Sequence, residues 1–132
     1  MIKELLSNKF FILILMLFLH VLEDFHLQGI LASMKQISWW EKQLGSEYLG
    51  KYEYDWAPSL LAHAFEWTFM MMLPVFLTRE FTYLTALMVV SNTSLHFVID
   101  NSKCNLNQIN LVIDQSAHIV QILITWVFFI LL

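Results

Sequence analysis

Charge is scarce in this chain, and cysteine almost absent. Only 14% of the 132 residues are charged, while 58% are hydrophobic and the mean hydropathy is +0.62. That balance is too apolar for an ordinary soluble domain of this length and reads as an integral membrane protein. The single Cys104 excludes an internal disulfide and a multi-cysteine zinc cluster, so thiols say little about redox compartment. The net charge of -4 is spread along the loops with no basic stripe, which excludes a nucleic-acid partner. The apolar run Phe10–Leu19 could pass for a signal-peptide core, but no small-residue cleavage site follows it and acidic Glu23 and Asp24 come next, so it is expected to be retained. No internal repeat or low-complexity segment stands out.

What is present is a set of four apolar segments, at about 9–28, 57–77, 81–100 and 108–132. Each approaches the roughly 20 residues needed to cross about 30 Å of hydrocarbon. The expected fold is all-α, a single domain over residues 1–132 built as an up-down-up-down bundle of four transmembrane helices. Pro58 falls where a first-turn proline is tolerated, and Pro74 near the end of the second segment. Thr78-Arg79-Glu80 and Asn101–Asn107 read as short turns, which makes their flanking segments antiparallel neighbours. Residues 29–56 form the one long connection, where Trp39, Trp40, Tyr48, Tyr52, Tyr54 and Trp56 are mixed with Lys and Glu. That mixture suits a partly helical segment at the lipid headgroups.

The polar residues inside the apolar segments are not scattered. Three of the four aspartates stand four residues from a histidine: His20/Asp24, His96/Asp100 and Asp114/His118. The second segment adds His63 with Glu66 three residues on. Spacings of three and four put both members of each pair on one helical face. If the segments alternate direction, the pairs at the end of the first, the start of the second, the end of the third and the start of the fourth all meet near one membrane face.

A carboxylate within a bilayer helix costs about 2.5–3.5 kcal/mol, so such groups face inward and have a partner. Taken singly, each pair reads as a helix–helix contact worth about 1 kcal/mol. Four convergent pairs favour a divalent metal instead. His nitrogen mixed with carboxylate oxygen suits zinc first, then manganese or iron. The expected ligands are His20, Asp24, His63, His96, Asp100, Asp114 and His118, enough for one ion with a full surround or for two ions, as in other bundles with inward His and carboxylates. Gln28, Asn92 and Gln121 extend the same faces and are expected to orient ligands, and Lys103 to orient one or to bind an anionic group at the mouth. His26 falls on another face and is left out. Met70-Met71-Met72 reads as packing filler, Trp39-Trp40 as an interface anchor and Cys104 as a loop thiol.

Together His20-Val-Leu-Glu-Asp24-Phe25-His-Leu-Gln28, Leu-Leu-Ala-His63, His96-Phe-Val-Ile-Asp100 with Lys103, and Asp114-Gln115-Ser-Ala-His118 resemble the domain-of-unknown-function 3307 family of small bacterial and phage membrane proteins. The resemblance spans nearly the whole chain and implies a membrane protein in which these residues matter, without implying a reaction. Glu66 is outside that pattern.

Three functional classes follow. As a hydrolase, the protein would use the metal to acidify a water and polarise a phosphoryl or acyl oxygen, with Asp24 or Glu66 as base or proton shuttle and Lys103 at the mouth. No serine or cysteine is placed beside a base as a nucleophile. A site shallow in the bilayer suits a lipid or lipid-linked phosphate. As a divalent-metal transporter, the chain lacks polar residues in the opposite half, unless an oligomer supplies the path. As an interaction protein, the metal would staple the helices. Lys3, Lys9 and Arg79 fall on the side of the termini, and Lys35, Lys42, Lys51 and Lys103 on the side of the site, which leans the site toward the cytoplasm of a bacterial inner membrane.

Overall fold

The computed structural model describes residues 2–131, with side chains from Glu4 to Leu131; Lys3, counted toward orientation, and Leu132, the expected end of the last segment, lie outside these. The described chain is helical, in the order α1 (Ile2–Ser7), α2 (Lys9–Leu22), α3 (Leu31–Met34), α4 (Ile37–Leu44), α5 (Trp56–Thr78), α6 (Tyr83–Cys104) and α7 (Leu111–Trp126). Two π-helical turns extend the long helices, Glu23–Leu27 after α2 and Val127–Leu131 after α7. No strand occurs among the described residues.

The ends of these helices are written in their caps. Asn8 accepts from the backbone N–H groups of Phe10 and Phe11 and starts α2; Asn110 accepts from Ile113 and starts α7. Thr82 and Thr85 exchange hydrogen bonds across the first turn of α6. Gly29, at φ 51, ends the first helical stretch in the left-handed conformation that glycine takes without steric cost. α5 continues four residues beyond Pro74 to Thr78, whose hydroxyl donates to the Pro74 carbonyl at 2.7 Å.

α5 packs on α2 and α6, and α7 packs on α6 and α2, so the four long helices close a ring. The half of the ring near the termini is filled by Ile12, Met16, Met71, Met72, Val75, Ile122 and Ile130. Met71 and Met72 are thus core, as expected of packing filler. The other half is filled by polar groups, while Phe10, Ile14, Phe18, Phe65, Val90, Leu95, Val98, Val120 and Ile124 point outward. A surface so apolar around an interior so polar suits lipid as the surrounding solvent.

Three stretches, Lys9–Leu27, Trp56–Thr78 and Leu111–Leu131, are long and apolar enough to cross a membrane. α6 has 22 residues, the length of a span, but its Ser, Asn, Thr, His and Asp content makes it more polar than the others. It also starts two residues later than expected and ends at Cys104 instead of Asp100. The last turn survives its polar composition because those groups are satisfied: Asn105 donates to Asn101 at 3.0 Å, and Lys103 reaches Asp114 on α7 at 2.6 Å.

Residues 29–55 are partly helical, as expected. α3 lies against α5, and Asn105 ties its end to α6, donating to the Lys35 carbonyl and accepting from the Ile37 N–H. Tyr48 is the one residue of the segment's distal part that is buried; its hydroxyl donates to the Glu53 carbonyl at 2.9 Å. Burial, assisted by nearby carboxylates including Glu41 and Glu53, pushes its phenol above the ordinary tyrosine range.

Candidate metal centre

Antiparallel packing brings together the end of α2, the start of α5, the end of α6 and the start of α7. On α6, His96 and Asp100 stand one turn apart on the inward face, as do Asp114 and His118 on α7. His63, His96, Asp114 and His118 are wholly inaccessible, and Asp100 and Asp24 are 2% and 7% exposed.

Asp100 is the hub. Its Oδ1 lies 3.2 Å from His118 Nε2 and 3.6 Å from His96 Nε2, and its Oδ2 lies 3.3 Å from His63 Nε2. The Nε2 atoms of His63 and His96 face each other at 3.2 Å, and Asp24 Oδ1 lies 3.6 Å from His63 Nε2. Donor atoms of Asp24, His63, His96 and Asp100 all lie within 4.8 Å of one another. A second group is formed by Asp24, Asp114 and His118, with Asp114 Oδ1 3.4 Å from His118 Nε2. Asp24 belongs to both groups.

Around these donors a further layer fixes their orientation. Trp67 stacks on His96, and His96 on His118, each pair with ring centroids 4.2 Å apart and planes inclined by 24°. The Trp67 indole N–H donates to His20 Nδ1 at 2.8 Å. Gln115 donates to Asp24 Oδ2 at 2.6 Å and to Asp114 Oδ2 at 3.0 Å. Two ammonium groups complete the layer. Lys35 Nζ donates to Asp100 Oδ2 at 2.7 Å, and Lys103 Nζ to Asp114 Oδ2 at 2.6 Å. The Lys35 side chain is 8% exposed and that of Lys103 30%, so the cluster reaches the surface beside Lys103.

Six of the seven expected ligands therefore converge: Asp24, His63, His96, Asp100, Asp114 and His118. His20 does not join either group of donors. It is buried beside them, held by Trp67 and with its ring 5.8 Å from that of His118. Glu66, expected as a base, is exposed and belongs to neither group. His63 already sits at one edge of the inward stripe of α5, and a step of three residues turns about 60° further in the same sense. Its place behind His63 is taken by Glu23, which is 3% exposed and whose Oε1 lies 3.8 Å from His63 Nδ1; neither atom has a hydrogen bond.

The expected orienting residues also fall differently. Gln28 donates to the carbonyl of Asp24, not to a ligand. Asn92 and Gln121 bond each other: the Gln121 amide donates to Asn92 Oδ1 at 2.9 Å and to its carbonyl at 2.8 Å, and Thr125 joins them. That network ties α6 to α7 below the cluster. Lys103 sits at the mouth, as expected, though on a helix and paired with Asp114. His26 is exposed.

Four residues escaped sequence reasoning: Glu23, Lys35, Trp67, which reads as one more apolar residue of its segment, and Gln115, to which the sequence assigns no role. Glu23 extends the buried Ile12, Met16, Leu19 stripe by a step of four, a signal that was there to be used. Lys35 lies in the irregular connection, where no periodicity assigns an inward side.

These buried His and Asp groups could hold a metal ion. Their chemistry fits one: imidazole nitrogens and carboxylate oxygens are the donors of zinc, manganese and iron sites. Their spacing fits as well, since two ligands of one tetrahedral ion at 2.0–2.1 Å stand about 3.3 Å apart. Asp114 Oδ1, buried and without a hydrogen bond, adds an acceptor that a cation would satisfy. No family model, no curated protein and no solved structure matches the chain.

Proposed function

We propose that the protein is a four-helix membrane hydrolase of the bacterial inner membrane, dependent on one or two divalent ions, zinc first, and acting on a lipid or lipid-linked phosphate from the cytoplasmic side. The reading includes the resemblance to the domain-of-unknown-function 3307 family. The observation that carries it is the pair of donor groups sharing Asp24, four residues in one and three in the other, inside a bundle whose outer surface is apolar. Asp24 would contribute to holding either ion, and a pair of ions would supply the Lewis acidity and activated water used in hydrolysis of phosphate esters.

A bound divalent ion supplies Lewis acidity and an acidified water at neutral pH. Asp24, His63, His96 and Asp100 would hold one ion, and Asp24, Asp114 and His118 a second. Gln115 donates to Asp24 and fixes its orientation, while Glu23 Oε1 stands 3.8 Å behind His63 Nδ1, from where a small approach would let it accept from that ring. Lys103, the more exposed of the two ammonium groups, is placed to receive an anionic group arriving from the headgroup layer. The ring stack of Trp67, His96 and His118 packs the cluster against the apolar half of the bundle and would hold the two imidazoles in place.

A second reading, a metal that only staples the helices, is favoured by the complete burial of His63, His96, His118 and Asp114. One experiment separates the two. Elemental analysis of detergent-purified protein beside Asp100→Ala should find stoichiometric metal in the first and little in the second. Phosphate release from a panel of lipid phosphates should then track metal content. Metal bound without any release supports the staple, and no metal even after reconstitution overturns both readings.

A further inference from the structure

At the end of the bundle opposite the donors lies a cavity of about 190 Å³, walled by α1, α2, the end of α5 and the turn after α7. Its charged walls are two cations, Lys9 at the first residue of α2 and Arg79 directly after α5. Among the described residues the lysines that form ion pairs are Lys35 and Lys103, and neither Lys9 nor Arg79 has such a partner. Glu4 and Glu80, the carboxylates nearest to them in sequence, do not line the cavity. The chain has 11 acidic residues against 7 basic ones, so a cavity with two unpaired cations and no carboxylate runs against its overall charge and suits an anion. Ile12 and Ile130, each 3% exposed, give it an apolar floor. Ser7 and Thr78 also face it, but their hydroxyls donate to the Glu4 and Pro74 carbonyls, each at 2.7 Å, so recognition of an anion falls to the two cations.

We infer that this cavity binds the phosphate of an anionic phospholipid, in the leaflet away from the metal centre. Depth, continuity and size choose a lipid over a free anion. Lys9 opens the membrane-length stretch Lys9–Leu27 and Arg79 directly follows Trp56–Thr78, so both stand where about 30 Å of hydrocarbon ends and headgroup phosphates begin. Phe10 and Leu77, beside the two cations in sequence, are 72% and 62% exposed on the apolar outer surface, where acyl chains can lie. The cavity is smaller than the roughly 300–1,000 Å³ of sites that enclose drug-sized ligands, which suits a phosphodiester whose chains stay outside. Lys9 and Asp24 are separated by roughly 20 Å of helix, so this site is distinct from the metal centre and does not depend on the hydrolase reading. Cations at the ends of spans also reach into the headgroup layer without selecting a lipid. Two of them on one cavity add shape to charge, and that difference can be measured.

The test is native mass spectrometry of the full chain in detergent, titrated with phosphatidylglycerol or phosphatidylcholine, with the melting temperature of every variant taken as the check on folding. One phosphatidylglycerol should be retained per chain, more tightly than phosphatidylcholine. Lys9→Gln and Arg79→Gln should each weaken it about ten-fold, the worth of one charge-assisted hydrogen bond. Lys42→Gln, which removes an exposed cation of the 29–55 connection, should leave it unchanged. Ser7→Trp should fill the cavity and expel the lipid while both cations remain. A loss in Lys42→Gln equal to that in Arg79→Gln, or full retention by Ser7→Trp, would reduce the binding to general attraction and overturn the site. Displacement of the lipid by millimolar inorganic phosphate would give the cavity to a free anion and overturn the lipid as its occupant, whereas retention against phosphate supports it.

Discussion

Glu23 and Glu66 have the same side chain and stand at similar depth, yet only one of them faces the donors. Glu23 lies 3.8 Å from the second nitrogen of His63, the position from which a carboxylate fixes the ring of a ligating histidine. Glu23→Gln should therefore weaken metal binding by about 10–100-fold in a chelator competition, whereas Glu66→Gln should leave it unchanged; equal losses in the two would remove Glu23 from the site. The two lysines make a similar contrast. Lys35 is buried on Asp100, and deleting one partner of a buried pair leaves the other charge uncompensated, at about 3 kcal/mol. Lys103 keeps nearly a third of its side chain in contact with solvent. Lys35→Met should lower the melting temperature of the purified protein clearly more than Lys103→Met does, and a reversed order would show that burial does not decide the cost of these pairs.

At the scale of the element, apolar length is what made the helices legible. The expected segment 57–77 differs from α5 by one residue at each end, because only four isolated polar residues, Ser59, His63, Glu66 and Thr68, interrupt the apolar run. The expected end of α6 fell four residues short, because Asn101, Ser102 and Lys103 look like a turn until Asn105 and Asp114 are known to satisfy them. The histidine–aspartate spacings were legible for the same reason as the helices, since one period governs both. Which of two inward groups touches the donors was not: that His20 bonds Trp67 instead follows from packing between α2 and α5, which no spacing within one helix encodes. The pairing of Asn92 with Gln121 across α6 and α7 is of that kind too. Since helices in lipid gain little from apolar burial, such bonds carry part of the association. Asn92→Leu should cost about 1 kcal/mol in detergent-titrated unfolding, and Val90→Leu, on the outward face of the same helix, should cost nothing measurable. Equal stability of the two variants would show that the network does not hold α6 to α7.

The whole molecule turns on whether α6 crosses the bilayer. Three stretches are apolar enough on their own account, and α6, the most polar long helix, carries two of the donors. Its polar groups are not a barrier to crossing if they stay inside the ring: Asn92, His96 and Asp100 are each no more than 2% exposed, while Leu87, Val90, Leu95 and Val98 face outward. A helix with that division presents mainly hydrocarbon to the lipid whatever its average composition, and its exposed Ser94 donates to the Val90 carbonyl of the same helix. Four crossings would place the α5–α6 turn on one side of the membrane and both the 29–55 connection and the α6–α7 turn on the other. With Cys104 changed to serine, single cysteines at the exposed positions Ser46, Glu80 and Gln108 report this directly. In right-side-out vesicles a membrane-impermeant maleimide should give Ser46→Cys and Gln108→Cys one response and Glu80→Cys the opposite one. If the site faces the cytoplasm, Glu80→Cys alone reacts before the vesicles are opened. Should Glu80→Cys and Gln108→Cys react together, α6 lies on one side of the membrane, and the shared depth of the four helices' histidines and aspartates would need another cause than alternating spans.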